Sequence, residues 1–105
     1  MLTLPIKKKW FDMILSGEKK EEYREIKPYY TSRLFKNCNF SSRDVMENYT
    51  PDNCFEVIFR NGYSKNSPSI KCKVSCWCNY GKKEWGAEPN KLYFVLKILS
   101  VEEMK

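Results

Sequence analysis

Two β-strand patterns in the second half of the chain limit its possible folds more than any other feature. Residues 70–79 alternate between apolar and polar side chains, which is typical of a strand with one buried face. Residues 92–101 are almost entirely apolar, which is typical of a central strand. The apolar face of the alternating strand carries Ile70, Cys72, Val74, Cys76 and Cys78. A buried free thiol behaves as a small hydrophobic group, so these cysteines are predicted to belong to the core.

Shorter patterns predict the remaining elements. Apolar pairs four residues apart indicate an amphipathic helix at residues 7–16, and Gly17 follows it at the position that commonly ends a helix. The dipeptide Asn61-Gly62 favours a tight hairpin turn after a strand. The other predicted elements are strands at 2–6, 19–26 and 55–60, a short helix at 30–35, one helical turn at 42–47 and a loop at 81–91.

Together these elements predict a single α+β domain that spans residues 1–105. We expect a small curled sheet or β-barrel of about five or six strands with two or three flanking helices. The chain has 105 residues, enough for a self-standing core, and 42% are hydrophobic, which excludes an intrinsically disordered chain. No apolar run reaches the roughly 18 residues of a membrane-spanning helix, and the N-terminus lacks a signal-peptide pattern. We therefore expect a cytoplasmic monomer with no membrane partner.

The positive charge of the chain is concentrated in one segment. The net charge is +6, from 19 basic and 13 acidic residues, yet residues 57–83 contain no acidic residue. The basic residues of this segment are Arg60, Lys65, Lys71, Lys73, Lys82 and Lys83. Such a segment is typical of a surface that binds a polyanion such as nucleic acid. The alternative is a lysine-rich surface that serves only solubility.

The absence of histidine and the odd number of cysteines exclude several kinds of chemistry. Without histidine the chain has no Ser-His-Asp or Cys-His mechanism and no histidine metal ligand. Five cysteines cannot all pair within one chain. An all-cysteine zinc site with Cys38 or Cys54 is an alternative to the core role, but the C-x2-C pairs typical of such sites are absent. We therefore predict no metal and no cofactor.

Three lysines, Lys7, Lys8 and Lys9, open the first predicted helix. The helix dipole already concentrates positive charge there, so each cation costs roughly 0.3–1 kcal/mol. Selection for stability alone would favour aspartate or glutamate at these positions. The free N–H groups of the first turn and the three ammonium groups together predict an anion site suited to phosphate. The alternative is that the lysines point into solvent.

A second candidate site lies in the charged strand that follows Gly17. If the strand face that carries Glu22 and Arg24 turns inward, the buried charges must be paired. An inward cluster of these two residues with Lys19 would line a polar cavity able to hold the edge of a nucleobase. The alternative is a solvent-exposed edge strand whose alternating charges discourage aggregation.

The residues of this second site resemble a known protein family. The hallmark of the ASCH domain (activating signal cointegrator homology) is G-x-K-x-x-E-x-R, which Gly17, Lys19, Glu22 and Arg24 match without a gap. Further segments resemble small bacterial and phage ASCH proteins in the expected order along nearly the whole chain. These segments are residues 4–6, 14–19, 59–63, 84–87 and 95–98.

The resemblance implies a fold, a ligand and a set of site residues. The fold would be a PUA-like β-barrel with helices against its sides, and the ligand RNA or a nucleotide-like molecule in a cleft lined by the motif. Lys19 and Arg24 would contact a phosphate or a base carbonyl, and Glu22 would accept a hydrogen bond from an exocyclic amine. Aromatic residues interleaved with the basic segment suit single-stranded nucleic acid. The further ligand-binding candidates are Lys7, Lys8, Gly17, Arg60, Tyr63 and Trp85.

The family also includes enzymes, so a small hydrolase is the alternative function. Some members are amidohydrolases of N4-acetylcytidine, in which the lysine matched by Lys19 is the proposed nucleophile or base. Glu22 stands where those enzymes have a threonine. In a ribonuclease, Glu22 would be the base, and Lys19 and Arg24 would stabilise the phosphorane. The distant glutamate of the amidohydrolases is left unassigned among Glu47, Glu56, Glu84 and Glu88.

Overall fold

The computed structural model describes residues 1–36 and 54–104, which form five strands, two α-helices and one short 3₁₀ helix. The helical turn predicted at 42–47 lies outside the described residues. The strands are β1 (Leu2–Pro5), β2 (Glu21–Glu25), β3 (Cys54–Arg60), β4 (Ser69–Tyr80) and β5 (Leu92–Met104). The helices are α1 (Lys8–Leu15) and α2 (Pro28–Lys36), and the 3₁₀ helix spans Lys83–Trp85.

The five strands form one curled mixed sheet, a half-barrel, in the order β1-β3-β4-β5-β2. β1 pairs with β3 in parallel, and the other three pairings are antiparallel. The first two strands of the sequence, β1 and β2, therefore lie at opposite edges of the sheet. The prediction of an α+β fold with a small curled sheet and flanking helices is confirmed at this level.

The long pairing of β4 with β5 contributes residues from both strands to the core. It runs the whole length of β4, with one bulge between Lys73 and Val74. The apolar face predicted for β4 is confirmed, because Ile70, Cys72, Val74 and Cys76 are buried and Cys78 is partly buried. The alternation is broken at Ser75, which follows the bulge and is also buried. Burial raises the pKa of the Cys72 thiol to about 12, as expected for a core residue. β5 lies between β4 and β2, which confirms the prediction of an internal strand.

The tight turn predicted at Asn61-Gly62 is not formed. In the observed register the eight residues 61–68 connect β3 to β4. A two-residue turn would have placed Pro68 opposite Phe55, inside the ladder, where proline has no N–H to donate. In the longer connection the proline contributes only its carbonyl oxygen, which accepts a hydrogen bond from the Asn61 N–H at 2.8 Å.

Both α-helices pack their apolar faces into the core of the sheet. α1 buries Phe11 and Ile14, and it ends as predicted, because Gly17 follows it with a φ of +85°. α2 buries Leu34 in the same core. It begins at Pro28, earlier than predicted, because the fixed φ of proline suits the first turn of a helix.

Replacing Gly86 by alanine should destabilise the fold more than the same change at Gly17. Both residues have positive φ, +102° and +85°. A Cβ there costs roughly 1–2 kcal/mol. A Cβ at Gly86 would also lie 3.0 Å from the Trp10 ring, whereas at Gly17 the nearest atom, on Lys20, is 3.7 Å away. Urea unfolding of both variants measures the difference. Equal losses of unfolding free energy would show that the segment at Gly86 does not press on Trp10.

Candidate functional site

A side chain joins the two edges of the half-barrel. Nη2 of Arg24, in β2, donates a hydrogen bond to the carbonyl oxygen of Pro5, in β1, at 2.8 Å. Arg24 is only 9% exposed, so this bond is shielded from water. We call the gap between Pro5 and Arg24 the seam. At the seam a guanidinium group connects two strands that the sheet order keeps apart.

Arg24 belongs to a buried group of three charges, the Lys19–Glu22–Arg24 cluster. Glu22 Oε2 accepts a hydrogen bond from Arg24 Nη2 at 2.6 Å, and Glu22 Oε1 lies 3.3 Å from Lys19 Nζ. All three residues are buried. The charged face of β2 therefore turns inward, as one of the two alternatives predicted, and it is not a solvent-exposed edge. One carboxylate between two cations leaves the cluster with a net positive charge.

The ammonium group of Lys19 is completely enclosed. It donates a hydrogen bond to the backbone carbonyl of Trp85 at 2.5 Å. It also lies between two aromatic rings, 4.8 Å from the centre of Trp10 and 5.0 Å from that of Tyr23. Burial lowers the pKa of Lys19, and the ion pair with Glu22 opposes that shift only in part. Lys19 therefore holds Glu22 and the Trp85 backbone in place and does not open onto solvent.

The segment around the 3₁₀ helix covers Lys19 and is tied to β2. The hydroxyl of Tyr23 accepts a hydrogen bond from the Lys82 N–H at 2.9 Å and donates one to Glu21 Oε1 at 2.7 Å. Burial is the main reason that the pKa of Tyr23 is raised. A Cβ at Gly81 would lie 2.7 Å from the Tyr23 ring, so this position has no room for a side chain. The covering segment is therefore tightly packed on β2.

A cavity of about 470 Å³ opens at the seam, and we call it the seam cavity. Its volume lies in the range of about 300–1,000 Å³ that is usual for small-molecule sites. Residues from β1, α1, β2, α2 and the β3–β4 connection contribute to its wall. They are Pro5, Ile6, Lys7, Trp10, Glu22, Arg24, Tyr30, Asn61, Gly62 and Tyr63.

The electrostatics of the seam cavity favour an anion. Glu22 and Arg24 lie on its wall, the Lys19 ammonium lies behind Glu22, and Lys7 adds a further positive charge on the wall. Lys7 is also the N-cap of α1, which has no side-chain cap and no acidic residue in its first turn. The first N–H groups of α1 are therefore not satisfied by a side chain. On Arg24, Nε has no hydrogen-bond partner among the described residues, although the residue is buried.

Aromatic side chains give the seam cavity a second character. Trp10 and Tyr30 line it, and Tyr63 stands at its margin with 90% of its surface exposed. The Arg24 guanidinium carbon lies 5.7 Å from the centre of the Tyr30 ring, and Nη1 donates to the Tyr30 hydroxyl at 3.4 Å. The cavity therefore combines flat apolar surfaces with hydrogen-bonding groups and positive charge.

The structure brings some of the predicted ligand-binding residues to the seam cavity, namely Lys7, Glu22, Arg24 and Tyr63. Lys8 does not line it, although it follows Lys7 directly in the sequence. The Lys8 side chain is 76% exposed and pairs with Asp12, one helical turn later, at 2.6 Å. Lys7 is the N-cap and has extended backbone angles, whereas Lys8 is the first residue of α1, and only Lys7 lines the cavity.

The remaining predicted residues lie outside the seam cavity. Lys19 is enclosed behind Glu22, and Gly17 ends α1 just before it. Trp85 contributes its backbone carbonyl to Lys19, while its ring packs against the Lys82 ammonium at 4.5 Å. Arg60 lines a different cavity on the other side of the β3–β4 connection.

Sequence reasoning missed Trp10, Tyr30 and Asn61 as cavity residues. Trp10 belongs to one of the apolar pairs that predict α1, and it is packed in part against the core. Tyr30 comes from α2 and reaches the site only because Arg24 bridges the seam. The available signal was the pair of tyrosines at the start of α2, close in sequence to the charged strand.

The basic segment 57–83 does not form one basic face. Lys71 lies between Glu56 and Glu102, at 3.5 Å and 3.4 Å, on neighbouring strands. These ion pairs raise the pKa of Lys71. The acidic partners come from outside the segment, so the sheet neutralises the charge of this one lysine.

Compared with models of known protein families, with curated proteins and with solved structures, the chain matches none. Within residues 1–36 and 54–104, no three cysteine or acidic side chains converge as metal ligands would. In the same residues no helix is long and apolar enough to cross a bilayer. The geometry around the seam is therefore the basis for a functional proposal.

Replacing Glu22 by glutamine should destabilise the fold by about 3 kcal/mol or more, because it leaves two buried cations without a counter-charge. The control is Glu25→Gln on the same strand. Glu25 is exposed and pairs only with exposed or half-exposed lysines, so the expected loss is less than about 1 kcal/mol. Urea unfolding at neutral pH measures both losses. Similar losses would contradict a structural role for the cluster.

Raising the pH should stabilise the natural chain relative to the Lys19→Met variant. Burial holds the pKa of Lys19 below its ordinary value of 10.5, so the folded chain releases this proton at lower pH than the unfolded chain does. Unfolding then takes up a proton between the two pKa values, and the free energy of unfolding rises with pH there. The measured quantity is the unfolding free energy of the natural chain minus that of the variant, in which the groups common to both chains cancel. If this difference falls as the pH approaches 10.5, pairing with Glu22 outweighs burial in setting the pKa of Lys19.

Proposed function

We propose that the chain is an ASCH-type, PUA-like domain that binds single-stranded RNA or a nucleotide in the seam cavity. The observation that carries the proposal is an aromatic cavity whose wall carries Lys7 and the buried Glu22–Arg24 pair, with the Lys19 ammonium directly behind Glu22. A nucleotide combines the matching features, because it has a phosphate, a flat ring and hydrogen-bonding edges. The cluster consists of Lys19, Glu22 and Arg24, three of the residues that carry the family resemblance.

The phosphate belongs at the start of α1 in this proposal. The uncapped N–H groups of the first turn, the Lys7 ammonium and the Arg24 guanidinium surround this end of the cavity. Backbone N–H groups at a helix start, together with the helix dipole, favour an anion. Positive charge from three independent sources then acts on the same ligand group.

The base belongs on the aromatic side of the cavity. Tyr63 is almost fully exposed and free to stack on a base, and Trp10 offers a second ring on the wall. Stacking on one aromatic ring contributes roughly 1–3 kcal/mol for each base. Glu22 already accepts hydrogen bonds from two cations, but each carboxylate oxygen has two lone pairs, so it can also accept from an exocyclic amine.

Hydrolysis of N4-acetylcytidine is the second candidate, and the observation that favours it is the lowered pKa of Lys19. The enclosure of the ammonium argues against it. The Nζ atom is buried among Glu22, the Trp85 carbonyl and two rings, and the residue does not line the cavity. Incubation with N4-acetylcytidine tests this candidate. Release of acetate that is lost in the Lys19→Met variant would replace binding by catalysis as the function.

Replacing Tyr63 by alanine should weaken binding of a short single-stranded RNA by roughly 5- to 150-fold, the equivalent of one lost base stack. Tyr63 is 90% exposed, so the change should leave the fold intact. The control is Tyr80→Ala, because Tyr80 is 59% exposed and lies outside the seam cavity. Fluorescence anisotropy with labelled RNA measures the affinities. Equal losses for the two variants would place the base elsewhere.

Replacing Lys7 by alanine should reduce the salt dependence of RNA binding by about 0.7 in the slope of log K against log salt concentration. Lys8→Ala is the matched control, because Lys8 pairs with Asp12 and points away from the cavity. The two variants have the same composition and adjacent positions. If they lower the slope equally, the ammonium at the cavity has no special role. If natural chain and variants all fail to bind RNA and nucleotides, the proposed function is wrong.

A further inference from the structure

A second cavity shares the β3–β4 connection with the seam cavity. Its volume is about 400 Å³, and Arg60 and Lys65 are the cations on its wall. Ser67 and Ser69 add hydroxyl groups, one of which donates to a backbone carbonyl within the connection at 3.1 Å. The wall therefore carries positive charge and hydrogen-bonding groups.

The two cations of the second cavity are not neutralised within the described residues. Arg60 and Lys65 form no ion pair there, in contrast to Lys71, which lies between two glutamates. The Nε atom of Arg60 is buried and has no hydrogen-bond partner in the same part of the chain. A buried donor without a partner costs free energy, so this guanidinium group is not fully satisfied by the described residues.

One short segment forms part of both cavities. Residues 61–63 of the β3–β4 connection line the seam cavity, and residues 65–68 line the second cavity. Tyr63 and Lys65 are two residues apart, so their Cα atoms are separated by at most about 7 Å. The exposed ring of Tyr63 lies between the two cavities along the chain.

We infer that the second cavity holds the phosphate of a neighbouring nucleotide, so that the ligand is a single-stranded oligonucleotide that crosses the β3–β4 connection. The inference rests on the proposed function and narrows its ligand from a nucleotide to a polymer. One nucleotide occupies the seam cavity, and the strand continues past Tyr63 to Arg60 and Lys65. A mononucleotide fills the first cavity alone and leaves the second one empty.

The test compares a nucleoside monophosphate with a tetranucleotide RNA on three proteins. These are the natural chain, Lys65→Gln and, as a control, Lys73→Gln. Lys65 and Lys73 are both exposed, so both variants should fold, and Lys73 lines neither cavity. Titration at several salt concentrations gives the affinity of each protein for each ligand and the slope of log affinity against log salt concentration.

The natural chain should bind the tetranucleotide more tightly than the monophosphate. Lys65→Gln should weaken only the tetranucleotide, several-fold, and lower its salt slope by about 0.7. Lys73→Gln should leave both affinities unchanged. An Arg60→Gln variant, checked for folding by circular dichroism, should behave as Lys65→Gln does.

Three results would overturn the inference while leaving the proposed function in place. The first is that the natural chain binds the two ligands with equal affinity. The second is that Lys65→Gln loses affinity for the monophosphate. The third is that Lys65→Gln and Lys73→Gln lose affinity for the tetranucleotide equally. Failure of the natural chain to bind either ligand would instead remove the proposed function itself.

Discussion

The site depends on one arrangement of charge, a carboxylate held between two buried cations at the open side of a half-barrel. The strand order leaves β1 and β2 unpaired with each other, and Arg24 bridges them through the Pro5 carbonyl. Glu22 holds the guanidinium in place from one side and is itself held by Lys19. Lys19 in turn fixes the covering segment through the Trp85 carbonyl. The cavity has its shape because these contacts form together.

The same residues therefore serve structure and binding at once. Burial of an ion cluster is costly, and a well-packed apolar seam would be at least as stable. In this chain the charges close the sheet and also give the cavity a net positive wall. The cations have different roles. Lys19 is buried and positions Glu22, whereas Lys7 and Arg24 line the cavity. Changes in the cluster should affect stability as well as affinity, whereas changes at exposed Tyr63 should affect affinity alone.

Periodicity predicted the strands well, because burial on one face of β4 follows directly from alternation. It also predicted that Glu22 and Arg24 share a face, although not which side that face takes. The connection between β3 and β4 was predicted wrongly. Asn61-Gly62 is a favourable sequence for a two-residue turn, but such a turn would place Pro68 inside the β3–β4 ladder. Lys7 and Lys8 look equivalent in the sequence, and only the helix start distinguishes them. The role of Tyr30 and the particular cavity that Arg60 lines could not be predicted, because they depend on contacts between elements that are distant in the sequence.

The most direct test of this account is the two-dimensional ¹⁵N NMR spectrum of the chain during titration with a short single-stranded RNA. The account predicts that the amide signals of Lys8, Lys9 and residues 61–63 shift first and saturate together with the Trp10 indole signal. These groups surround the seam cavity from α1 and from the β3–β4 connection. Shifts confined to the outer face of β4, at Lys71 and Lys73, or no shifts at all, would contradict it.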